Sequence, residues 1–88
     1  MKQPFKPTPT GAVPHTVEGV KFYTWHVGIM RYERRAADGR IVLRSNSVRM
    51  TSSAWVDGEC IGNRFRSDLG AAKAAVKHMQ RKDRAGVA

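Results

Sequence analysis

Six arginines, Arg31, Arg34, Arg35, Arg40, Arg44 and Arg49, fall within nineteen residues whose acids are Glu33 and Asp38. A guanidinium presents paired N–H donors that match phosphate oxygens and a flat face that can stack on a base. The chemistry this pattern points to is recognition of a polyanion, with nucleic acid, DNA or RNA, the leading partner. Arg64 and Arg66 close a later apolar stretch, and Lys73, Lys77 and Arg81 follow at four-residue steps. The whole chain carries +9 on 88 residues, a charge that draws phosphates from a distance. The plainer reading, charge kept for solubility, accounts for magnitudes of about 2–8 in a small domain.

Other chemistries find less support. Catalysis needs titratable groups that converge, and the three histidines are scattered: His15 near the start, His26 in a strand-like run, His78 in a helix-like one. No HxxxH or CxxC spacing links them, so neither a metal nor a cofactor is expected. Cys60 has no evident activating partner and reads as a small core residue. Asp38 and Asp57 precede glycines and are consumed by turns, while Asp68 opens a helix; no carboxylate pair is left for acid–base work. A non-enzymatic protein is therefore expected. Among the aromatics, Tyr23, Trp25 and Tyr32 are expected to build the core. Trp55 is the best candidate for an exposed stacking platform, because Ala54 and Val56 flank it on the opposite face, although a tryptophan is more often buried.

The elements that must carry these residues can be placed from spacing. Residues 1–16 hold all four prolines, Pro4, Pro7, Pro9 and Pro14, and predict a flexible, basic, extended arm. Residues 17–82 predict one α+β domain, and 83–88 a frayed tail. Gly28 interrupts the run Val20 to Arg35 as a bulge or a turn, and one long strand bent by a bulge is the favoured reading. In the register that follows, Met30 and Tyr32 share the face of Tyr23, Trp25 and Val27, and Arg31, Glu33 and Arg35 point the other way. Asp38-Gly39 predicts a hairpin back into Ile41-Val42-Leu43, Ser45 to Ser47 a loop, and Asp57-Gly58 a second hairpin between Val48–Val56 and Glu59–Phe65. Ser67 predicts an N-cap and Asp68 a dipole-matched first turn, on a helix reaching about Arg81. Leu69, Ala72, Val76 and Met79 form its packing stripe and Lys73, Lys77 and Arg81 its solvated face. The sum is a three- to four-stranded antiparallel sheet packed by one C-terminal helix.

The junction Arg64-Phe65-Arg66-Ser67 leading into Ala71-Ala72-Lys73-Ala74-Ala75, about 20 residues in all, resembles the three-stranded-sheet-plus-helix DNA-binding modules of AP2 and integrase N-terminal type. That resemblance implies a sheet and helix joined to bind DNA.

The remaining bounds are general. One unpaired cysteine and the lack of an apolar leader suit a reducing cytoplasm, and no apolar run approaches the roughly 18–20 residues that span a bilayer, so no membrane partner is expected. With about 70 residues outside the arm the core is small, and a homo-oligomer would help. The leading expectation is nucleic-acid binding through Arg31, Arg34, Arg35, Arg40, Arg44, Arg49, Arg64, Arg66, Lys73, Lys77 and Trp55. Its rival is a phage or mobile-element accessory protein, anti-CRISPR-like, that meets an acidic protein surface or inhibits a host protein or nucleoprotein complex. A third reading is a structural subunit of a larger assembly.

Overall fold

The computed structural model describes residues 6–29, 31–46 and 48–86. Among these residues seven strands, β1 (Thr8–Pro9), β2 (His15–Val17), β3 (Val20–Gly28), β4 (Arg31–Ala36), β5 (Ile41–Asn46), β6 (Thr51–Val56) and β7 (Glu59–Phe65), form one antiparallel sheet. A single helix, α1 (Asp68–Gly86), follows. Strands β3 to β7 are neighbours in chain order, and β1 and β2 share the outer edge of β3.

Turn chemistry sets this meander. Asp57 and Gly58 both take positive φ, 51° and 83°, as does the pair Glu18 and Gly19, 51° and 81°. Two successive left-handed residues make the two-residue turn whose twist matches a hairpin. At Gly39, φ 77°, the amide donates to the Ala36 carbonyl at 2.9 Å, and the Arg40 amide donates to Asp38 Oδ1 at 3.0 Å. Between β5 and β6 the Asn46 carboxamide oxygen accepts from the amides of Val48 and Arg49, both at 3.1 Å, the local bonding that makes asparagine a turn former.

The sheet has more strands than the three or four expected, for two reasons. Val20 to Arg35 is not one bent strand: Gly28 pairs with Arg31, and the chain reverses there to give β3 and β4. Only two residues separate the paired Gly28 and Arg31, so the reversal is tight. The proline-rich stretch also contributes strands. Thr8 and Pro9 pair with His26 and Trp25, and His15 to Val17 with Phe22 to Val20. Prolines suit this position, because an edge strand has one side that needs no donor. The expected place of Met30 in the register, Ser47, residues 1–5 with Lys2 and Pro4, and residues 87–88 lie outside the described residues.

The reversal at Gly28 also changes which aromatics are core. Phe22 pairs with Ala36 on the helix side and is 2% exposed, whereas Tyr23 and Trp25 point to the other side, half-buried. Tyr32 is 55% exposed and stacks on His26 with ring centroids 5.0 Å apart. The core is Val17, Phe22, Ile41, Leu43, Val56 and Val76 with small residues between them, Ala36, Ala54, Ala71, Ala72 and Ala75. Alanine on both layers lets the helix backbone approach the sheet closely. α1 lies over β5, β6 and β7. Its packing stripe is Ala71, Ala72, Ala75 and Val76, with Met79 partly buried. Leu69, expected in that stripe, stands at its edge, half exposed.

The ends of α1 are tied down differently. At its start Ser67 is the N-cap, with the Gly70 amide donating to its Oγ at 3.1 Å. Asp68 accepts from Ser45 Oγ at 2.8 Å, Ser52 Oγ at 2.6 Å and Arg34 Nη1. The helix continues to Gly86 past the expected fraying point, and Lys82 and Asp83 reach back to the sheet: Lys82 Nζ to Asp57 at 2.8 Å, Asp83 to Arg40 at 2.9 Å. Among the described residues no helix is long and apolar enough to cross a membrane.

Candidate nucleic-acid interface

Because α1 covers one face of the sheet, the other face shows what the alternation of each strand puts there. Opposite residues of an antiparallel pair share a face, so the register defines two rows across the helix-free side. One row is Trp25, Glu33, Arg44 and Ser53; the next is Tyr23, Arg35, Val42, Trp55 and Cys60. Arg31, two residues before Glu33, belongs to the same face. This corrects the expected orientation, in which Arg31, Glu33 and Arg35 pointed away from Trp25. Cys60 is likewise exposed on this face and not in the core.

Within these rows the side chains interlock. The Arg35 guanidinium lies over the Trp25 ring at 4.4 Å from its centroid, and that of Arg44 over the Trp55 ring at 4.8 Å. Both are cation–π distances. Glu33 stands between the two arginines and accepts from each, Oε1 from Arg35 Nε at 2.5 Å and Oε2 from Arg44 Nε at 3.0 Å. Glu33 is 5% exposed despite facing the uncovered side. A carboxylate that secluded needs its charge matched, and here two cations share it. Among the described residues each guanidinium gives Glu33 only its Nε, and its terminal nitrogens keep their donors.

The expected site residues do not all gather here. Arg35, Arg44 and Trp55 meet on the helix-free face, and Arg31 joins them by alternation. Arg34 pairs with Leu43 on the helix side and is committed to Asp68. It stands in the wall of a groove of about 810 Å³ along β4, where Ser45 bonds the same Asp68. Arg40 is at the opposite end of the sheet, where Asp57 and Asp83 hold it from both sides with four bonds of 2.9–3.0 Å. Those bonds raise the Arg40 pKa above its ordinary value, Asp57 contributing most. The Asp57 carboxyl is held well below the usual range by Arg40 and then Lys82, and Asp83 is lowered by Arg40. Lys73 and Lys77 are exposed on the outer side of α1, across the molecule from the two tryptophans.

Arg49, Arg64 and Arg66 are exposed and, like Arg31, have no ion-pair partner among the described residues. Topology puts all four at one end of the sheet: Arg31 beside the β3–β4 turn, Arg49 in the β5–β6 turn, Arg64 and Arg66 where β7 runs out. Next to Phe65, which packs on the core, Arg64 turns toward the helix-free side. Sequence reasoning missed Trp25 and Glu33 as site residues. The signal for Trp25 was present: Gly28 was readable as a turn, and a turn there puts Trp25 and Arg35 on one face.

Among the described residues no three metal-capable side chains cluster. Comparison with protein-family models, with curated proteins and with solved structures gives no match to this chain.

Proposed function

We propose that the protein binds nucleic acid, without catalysis, through the helix-free face of its sheet. The observation that carries this reading is the pair of tryptophans on that face, each capped by a guanidinium and both guanidiniums fixed by one secluded glutamate. Flat aromatic and guanidinium surfaces suit bases, and Arg31, Arg49, Arg64 and Arg66 at one end of the sheet, without acidic partners among the described residues, suit phosphates. The acids thin out in that direction: Asp57 and Asp83 are spent at the other end.

The test is a salt titration of binding to labelled single-stranded DNA, RNA and duplex DNA, using nuclease-treated protein. The expected result is a linear fall of log affinity with log salt and a loss of about tenfold or more on replacing Arg35 and Arg44 together with alanine. Lys73→Ala with Lys77→Ala should change affinity by about twofold at most, as expected for cations on the far side. Absence of binding to all three probes, or equal losses from the two double variants, would contradict the proposal. Tryptophan and arginine also dominate protein-binding hot spots, and an acidic protein surface is the second reading of the same patch. A partner that competes for Trp55 and ignores added nucleic acid would favour it.

A further inference from the structure

Resting on that reading, we infer that the ligand of the helix-free face is a single strand, held by stacking of unpaired bases on the Trp25–Arg35 and Trp55–Arg44 pairs. The first reason is shape. From β3 to β7 the meander measures about 19 Å at the usual strand spacing, and a major groove of about 12 Å admits a two-stranded ribbon but not this face. The second is the kind of surface offered. Indole rings and guanidinium planes present flat faces, and a duplex hides its base faces within its own stack; only unpaired bases can use them.

The third reason is charge. A face built to clasp duplex phosphates would concentrate cations at its centre, yet Glu33 stands there and takes a donor from each of the two central arginines. Phosphates are thereby steered away from the middle and toward Arg31, Arg49 and Arg64 at the end of the sheet. The centre keeps its flat surfaces and little net charge, which favours bases over backbone. Three strand spacings and one two-residue step separate Trp25 from Trp55, about 16 Å on the sheet. That is more than four stacked rises of about 3.4 Å, so one strand of roughly four to six nucleotides spans both pairs with the intervening bases above Arg35 and Arg44.

The chain has two tryptophans and both are in this site, so indole fluorescence reports on it alone. The experiment titrates the full protein with a 12-nucleotide thymidine oligomer, about twice the inferred site, and with a duplex of the same length at one salt concentration. Trp25→Phe and Trp55→Phe supply single-tryptophan forms. Saturable quenching by the single strand is expected in the native protein and in each single-tryptophan form, with duplex binding at least about tenfold weaker. Trp25→Ala or Trp55→Ala should lower single-strand affinity by roughly tenfold each. Duplex binding as tight as single-strand binding, or single-strand binding that leaves both indoles unquenched, would overturn the inference. If duplex then binds and depends on Arg35 and Arg44, the proposed function survives and the single-strand assignment falls; if neither probe binds, both fall.

Discussion

The two faces of the sheet differ in a way that is opposite to habit. The helix-covered face, which must exclude water, is built mainly from small side chains, Ala36, Ala54, Ala71, Ala72 and Ala75, around Phe22, Ile41 and Val56. The uncovered face carries Tyr23, Trp25 and Trp55, the residues with most surface to bury. Large aromatics left half-buried on an open face contribute less to folding than they would in a core, and stacking pairs with arginine make them usable for something else. The lesson is a division of labour: one face is given to stability, which leaves the aromatics of the other for the recognition proposed above.

Substitutions on the two faces should therefore separate stability from binding. The largest effect belongs to Phe22→Ala, which removes the largest fully buried side chain and should cost about 3–5 kcal/mol in urea unfolding, with nucleic-acid affinity of the folded fraction unchanged. Trp25→Ala and Trp55→Ala should each cost about 1–2 kcal/mol and carry the binding loss described above. A comparable stability loss at Trp55 and Phe22, with no binding loss at Trp55, would break the contrast between the faces.

Glu33→Gln sharpens it further. The carboxylate is secluded, but Arg35 and Arg44 have side chains 30% and 62% exposed, so solvent screens the pairs and the stability cost should be about 1 kcal/mol. With its charge gone, the two guanidiniums carry one more unit of net positive charge. The slope of log affinity against log salt should then steepen by up to about 0.7 on a single strand; a slope unchanged in Glu33→Gln would mean that the glutamate does not set the charge of the platform.

The smallest effect concerns the far end of the sheet. Asp57 and Asp83 are held below their ordinary values by Arg40, so their contribution to stability is present above about pH 4 and fades as pH falls toward the lowered values. Thermal unfolding followed from about pH 6 down to about pH 2 should show Tm falling more steeply below about pH 4 in the native protein than in Arg40→Ala. Nucleic-acid binding at neutral pH should be the same in both.

Much of this was legible in the chain. Asp38-Gly39 and Asp57-Gly58 announced their hairpins, and Ser67 its N-cap, because those residues act through local bonds. Trp55 was readable as an outward platform from Ala54 and Val56 on either side of it. Glu18-Gly19 makes the same left-handed pair as Asp57-Gly58, but the stretch before it, residues 1–16, reads as an arm, so no partner strand was expected on that side. The pairing of Thr8 and Pro9 with β3 is decided by a distant edge, which no local pattern encodes. Val20 to Arg35 failed for a related reason: Tyr23 and Trp25 look more like core residues than Phe22, Thr24 and His26. The phase of a strand is settled by what packs on each side, here a helix some forty residues later. The arginine cluster was visible as a count, but its division among Asp68, Glu33 and the Asp57–Asp83 pair depends on tertiary contacts.

The claim that one face of the sheet does the binding is tested most directly by amide and indole NMR shifts during titration with a short single-stranded oligonucleotide. Binding on that face should move the two indole N–H signals and the amides of β3 to β6 together, with Arg31 and Arg49 at the margin. Movement concentrated on the outer side of α1 at Lys73 and Lys77, or around Arg40, with both indoles still, would contradict it.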